Sequence, residues 1–109
     1  MGTSQSYALY IQDQLNQIGN ITLKKMFGEY GVYYRDKIVG LICDDQLFIK
    51  PTKIGKDILV DPMMGEPYPS AKLYFIIENP ENRELLTHLI LMTYNELPIP
   101  KPKKKKPKV

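Results

Sequence analysis

The sequence predicts a two-layer α+β domain, in which an antiparallel sheet of about five strands carries helices packed on one face. Three observations predict it. Apolar side chains recur at steps of three and four in a segment near each end of the chain. Between those segments they recur at every second residue. Short polar or proline-containing breaks separate the alternating runs. Period 3.6 marks helices, period two marks strands, and the breaks between the runs suit turns.

The elements follow in order. Residues 6–18, SYALYIQDQLNQI, place Tyr7, Ala8, Ile11, Leu15 and Ile18 on one helical face, with the Gln, Asn and Asp side chains toward water. Ser4 or Ser6 suits the N-cap, and Gly19 suits the left-handed position after the last turn. A first strand is expected at Ile21–Met26. Val32 and Tyr34 then alternate with Tyr33 and Arg35, Val39, Leu41 and Cys43 with Ile38, Gly40 and Ile42, and Leu47 and Ile49 with Phe48 and Lys50. Arg35, Asp36 and Lys37 form one polar break and Asp44, Asp45 and Gln46 another, so the segment reads as a meander of hairpins. Pro51 ends the ladder because it has no N–H to donate.

Residues 52–59 read as a short helix capped by Thr52, with Gly55 weakening it. VDPMMGEPYPSA is a loop. KLYFIIE is a further strand, with Leu73, Phe75 and Ile77 toward the helices and Tyr74 and Ile76 away from them. The closing helix is expected to start with Asn79 as N-cap and Pro80 at its first position. Its buried face runs through Leu85, Leu86, Leu89, Ile90 and Met92 or Thr93, and Pro98 stops it. The order is helix, three or four strands, short helix, strand, long helix. The core is expected to hold Phe27, Val39, Leu41, Leu47, Ile49, Phe75, Leu85 and Leu89.

Bulk composition limits the function classes. A chain of 109 residues with 43% apolar content suits one domain with one modest core, here residues 1–98. The net charge of +3 is misleading, because the last nine residues, KPKKKKPKV, hold six lysines and no acid. Setting these aside leaves nine basic against twelve acidic residues, a mildly acidic body carrying a basic tail. Residues 99–109 are expected to be a disordered, Pro/Lys-rich end. Lys101, Lys103, Lys104, Lys105, Lys106 and Lys108 are the candidate contacts to nucleic acid, by weak, non-specific neutralisation of phosphates. No apolar run reaches the roughly 18 residues that a membrane span needs. The N-terminus lacks the charged and apolar regions of a secretory signal, and its match to the short myristoylation pattern is read as chance. No membrane association is expected, and a reducing cytoplasm is.

Candidate chemistry is sparse. Cys43 lies in an apolar run and reads as a buried reduced thiol. Cys43 and the single histidine, His88, are the remaining route to a small enzyme, through a nucleophile and base, but no oxyanion or third-partner motif accompanies them. Asp44 and Asp45 suit a turn, where aspartate bonds locally, better than a metal site. No Walker loop, dinucleotide fingerprint, nucleophile elbow or zinc-protease motif is present. The expectation is a non-enzymatic domain without cofactor, catalytic residue or metal.

The stretch KKMFGEYGVYYRDK holds one phenylalanine, three tyrosines and two glycines within the ten residues from Met26 to Arg35. Gly28 and Gly31 suggest a bend or bulge around Glu29 and Tyr30. It shares only its flavour with the base-stacking strand of an RNA-recognition motif, and Glu29 at its centre would repel phosphate. The block KKMFGEYGVYYRDKIVGLICDDQLFIKP resembles the signature of the TfoX N-terminal domain family. There a basic residue precedes M-F-G-x-[YF]-G, a hairpin follows, and an acidic turn leads into L-[YF]-[LI]-K. The matching positions are Lys25, Met26, Phe27, Gly28, Tyr30, Gly31, Tyr33, Gly40, Asp45, Leu47, Phe48, Ile49 and Lys50. PYPSAKLYFIIE resembles the second block of the family, and the likeness extends over residues 6–97.

The resemblance implies an α+β fold similar in outline to type III secretion chaperones. It also implies association with regulators of natural transformation competence, which act as transcriptional coactivators. Those regulators carry a second helical domain where this sequence has a lysine tail. The resemblance supplies no catalytic or ligand residue. The functional expectation is therefore a regulatory or protein-interaction domain. Its partner is expected to be another protein or a second copy, met through Tyr33, Phe48, Tyr74 and Ile76. Weak nucleic-acid binding through the tail is the alternative.

Overall fold

The computed structural model describes residues 3–26 and 28–98. The expectations for Phe27 and for the tail lie outside these residues. Three helices and one six-stranded antiparallel sheet make up the domain. In chain order they are α1 (Gln5–Leu15), β1 (Ile21–Met26), β2 (Glu29–Tyr34), β3 (Lys37–Cys43), β4 (Gln46–Ile49), α2 (Lys53–Leu59), β5 (Met64–Gly65), β6 (Tyr74–Ile77) and α3 (Arg83–Glu96). A short 3₁₀ turn, Asn16–Ile18, extends α1. The strand order across the sheet is β1-β2-β3-β4-β6-β5. The two-residue β5 lies within the stretch read as a loop. It was not legible because Met64 and Gly65 are too few to show a period.

The caps explain where the helices start. The Ser4 hydroxyl accepts from the Tyr7 N–H at 3.2 Å, and the Thr52 hydroxyl accepts from the Gly55 N–H at 3.0 Å. α3 is capped by Asn82, whose side-chain oxygen accepts from the Leu85 N–H at 3.2 Å, and not by Asn79. Asn79 instead closes a turn onto the Asn82 N–H at 3.0 Å, so the Asn-Pro pair bends the chain one turn before the helix. The start of α2 is thus capped despite Gly55. A Cβ there would come within 2.7 Å of the Phe75 ring, so the glycine lets α2 approach the sheet closely.

The core lies between the helices and one sheet face. It joins Ile11 and Leu15 of α1 and Leu86, Leu89 and Ile90 of α3 to Val32, Tyr34, Val39, Ile42, Leu47, Ile49, Phe75 and Ile77 of the sheet. Val39, Leu47, Ile49, Phe75 and Leu89 are buried as the sequence implies. Leu41 and Leu85 are only half-buried, and Leu73 is exposed.

Leu41 departs because the alternation of β3 breaks. Val32 pairs with Gly40, but Tyr33 pairs with Ile38, so Val39 is the extra residue of a bulge. Val39 and Ile42 consequently both face the core, and Leu41 turns to the opposite face. The bulge falls here and not around Glu29 and Tyr30, which stay in register with Met26 and Lys25. Leu73 precedes β6, outside the pairing that orients Phe75 and Ile77. Two polar residues also run against expectation. Gln14 is buried because its carbonyl accepts from Arg83 Nε at 3.0 Å. Lys37, read as part of a turn, opens β3 and is buried.

Candidate functional site

The sheet has a second face, and the register identifies its residues. Residues opposite the core set share it: Thr22, Lys24 and Met26 on β1, Glu29, Gly31 and Tyr33 on β2, Ile38, Leu41 and Cys43 on β3, Phe48 on β4, and Tyr74 and Ile76 on β6, with the Lys24 ammonium 4.9 Å from the centre of the Tyr33 ring. All three helices contribute to the other side, so among the described residues no helix covers this one. The loop between β5 and β6 crosses part of it. Gly65 sits against Ile76 and Phe48, so Phe48 is only 3% exposed. Tyr33, Tyr74 and Ile76 are half-exposed. Of the four residues expected to meet a partner, all share this face. Three are reachable, while Phe48 forms the floor beneath them.

A groove of about 580 Å³ opens on this face, lined by Met26, Glu29, Tyr30, Ile38, Leu41, Cys43, Lys50, Tyr68 and Tyr74. Its floor is low because Gly31 carries no side chain, and Met26, Tyr33 and Ile38 close over that position. The groove was not legible in the sequence, because Tyr68 arrives from a proline-rich loop and Leu41 only through the bulge.

The polar groups of the groove are unequal. The Glu29 carboxylate accepts from the Thr3 hydroxyl at 2.6 Å and from the Asp44 N–H at 3.1 Å. The same N-terminal segment bonds the second aspartate of the turn, since the Ser4 N–H donates to Asp45 Oδ1 at 2.9 Å. Asp44 and Asp45 both adopt positive φ, as a two-residue hairpin turn of mirror-image type requires. The turn is therefore tied to the chain start, and its Asp45 carboxylate bonds across the fold instead of locally. Burial lowers the Lys50 pKa below the ordinary lysine value. Burial, then Tyr68 and Cys43, raises that of Tyr74.

The Cys43 thiol is pushed up to about 11, first by burial and then by Glu29 and Asp44. A catalytic nucleophile needs the opposite shift. His88 is exposed on α3, on the helix side, with Gln17, Arg83, Glu84, Thr87 and Leu91 around it. The sheet separates the two residues, so the structure does not assemble the Cys43–His88 pair. Among the described residues no cluster of His, Cys, Asp and Glu could hold a metal ion, and no helix is long and apolar enough to cross a membrane.

Comparison with known proteins places this geometry in a family. The chain is 38% identical over 109 residues to an uncharacterised 12.7 kDa protein in the trpE 5′ region of Spirochaeta aurantia, an alignment covering 99% of this chain and 95% of that one. The family model of the TfoX N-terminal domain matches residues 13–79, from within α1 to just past β6. That match takes in every strand of the sheet and both of its faces, so the chain belongs to the TfoX N-terminal domain family.

Proposed function

We propose that the protein is a regulatory domain of the competence-regulator type, acting through protein contact and not through chemistry on a substrate. Family membership supports the regulatory class. One observation supports contact as its mode of action: the sheet face that no helix covers carries apolar side chains in adjoining rows, with Tyr33, Tyr74 and Ile76 at its surface. Apolar faces of this kind are costly to leave wet and commonly serve as interfaces.

The partner proposed is a second copy of the chain, meeting face to face. Pairing through the sheet edges is disfavoured. β1 carries Lys24 and Lys25 as its fourth and fifth residues, and lysines on an edge strand disfavour its pairing with a second copy. The opposite edge, β5, is only two residues long. A two-fold pairing of the open faces needs neither edge.

Light scattering at micromolar concentration tests this, with circular dichroism to verify folding. A dimer is expected for the native chain, and a folded monomer for Ile76→Glu combined with Tyr33→Ala. A native chain that stays monomeric, or a double variant that still pairs, overturns the proposal.

A further inference from the structure

We propose that the groove on the open sheet face binds a small amphipathic carboxylate, with an aromatic or aliphatic body along Leu41, Ile38 and Tyr74 and its carboxylate on Lys50. The volume, about 580 Å³, lies within the range of roughly 300–1,000 Å³ typical of small-molecule sites. The lining has the usual composition of such a site, a largely apolar wall with few polar groups. Met26, Ile38 and Leu41 supply the aliphatic wall, and Tyr68 and Tyr74 offer ring faces with hydroxyl donors.

Charge selects the ligand. Lys50 is half-buried at one end of the groove, where its own N–H donates to the Val39 carbonyl at 2.9 Å. Among the described residues the single ion pair joins Arg83 to Asp13, so no carboxylate lies within ion-pair distance of Lys50. A half-buried ammonium in apolar surroundings without a counter-charge is unfavourable, and its lowered pKa reports the same cost. The groove's carboxylate among the described residues, Glu29, does not relieve it. Glu29 lies on β2 beside Cys43, whereas the Lys50 backbone is bonded to Val39, and these two β3 positions are four residues apart, about 13 Å along the backbone at a strand rise of roughly 3.3 Å. It is also held there by Thr3 and Asp44. A ligand carboxylate would supply the missing charge at Lys50, and the Tyr74 hydroxyl is a donor lining the same groove. An apolar body would cover Ile38 and the Leu41 side chain that the bulge turns to this face.

The inference does not rest on pairing of two copies, but both use Tyr74, so the experiment is run on the native chain and on the Ile76→Glu, Tyr33→Ala double variant, in which pairing cannot cover the groove. The full chain is titrated with 2-naphthoate and with neutral 2-naphthamide, following backbone amide shifts by NMR, with light scattering on the same samples. Saturable binding of naphthoate is expected, with shifts centred on Ile38, Leu41 and Tyr74. Naphthamide should bind about ten- to a hundredfold more weakly, the usual margin for a hydrogen bond to a charged group. Lys50→Met should lose the preference for naphthoate while keeping the fold. Tyr68→Ala, at an exposed rim position, should weaken both probes alike. Equal binding of the two probes, unchanged preference in Lys50→Met, shifts confined to the helices, or no binding overturns the proposal. The oligomeric state reads out pairing independently.

Discussion

Lys37 and Tyr94 are joined twice: the Lys37 ammonium donates to the Tyr94 carbonyl at 2.8 Å and lies 4.2 Å from the centre of the Tyr94 ring. It also donates to the Leu97 carbonyl at 2.8 Å. The first residue of β3 thereby caps the C-terminal end of α3, where unpaired carbonyls concentrate negative charge. The neighbouring Asp36 completes the clasp by accepting from the Tyr94 hydroxyl at 2.9 Å.

Replacing Lys37 with methionine keeps the buried stem and removes both hydrogen bonds. The expected loss is about 2 kcal/mol, the range for hydrogen bonds to a charged group. Urea unfolding measures it, and amide exchange should show faster opening of the last turn of α3. An unchanged midpoint would mean that water replaces the lysine at no cost.

The bulge makes a prediction that strict alternation reverses. Ile42→Ala should cost about 2–5 kcal/mol, because Ile42 is fully enclosed among Val32, Leu47 and the helices. Leu41→Ala should cost clearly less, since Leu41 lines the open groove. Paired urea unfolding of the two variants decides between them. Equal losses would place Leu41 in the core and remove the bulge from the account.

Glu96 links α3 to α2. Its carboxylate accepts from the Lys53 N–H at 2.9 Å and the Ile54 N–H at 3.1 Å, so a side chain of one helix caps the start of the other. Those two bonds hold its pKa below the ordinary 4.5. A group whose pKa falls on folding contributes stability that is full above its unfolded pKa and is lost as pH falls through the folded one. Stability should therefore decline below pH 4.5 more steeply in the native chain than in Glu96→Gln. Thermal unfolding from neutral pH down to strong acid measures this, and parallel curves would remove Glu96 from the acid response.

The lysine tail is tested apart from the domain. Six lysines that each neutralise one phosphate predict a slope near −5 for log K against log salt on duplex DNA, by the usual factor of about 0.9 per contact. Labelled DNA is titrated at several salt concentrations with the full chain and with a chain ending at Leu97. Binding by the full chain alone is expected, at about 10⁻⁴–10⁻⁶ M at physiological salt. Equal binding by the two chains would assign the contact to the acidic body.

Much of this architecture is local and therefore legible in the sequence. Ser4 and Thr52 cap where their spacing from the apolar run indicates, because a cap needs only its own next three residues. The strands β1, β2, β4 and β6 follow period two, as β3 does on either side of its bulge, and the turn residues linking β1 to β4 set antiparallel neighbours. The open face also followed from alternation, which put Tyr33, Phe48, Tyr74 and Ile76 together on it. Where Leu41 and Ile42 exchanged places, one extra residue opposite Tyr33 was enough, and a bulge leaves no mark in the hydrophobic pattern of a strand that is apolar throughout.

What only the tertiary structure decided involves partners distant in sequence. Lys37 is polar and beside a turn, and nothing nearby reveals that the end of α3, 57 residues on, needs a cation. Glu96 and the start of α2, or Asp45 and Ser4, are joined in the same way across more than 40 positions. The groove has the same origin: a missing side chain at Gly31, a turned Leu41, a loop tyrosine and Lys50 meet only when the sheet and the loop over it are assembled. Periodicity states which way each side chain points, whereas a site depends on what it then meets.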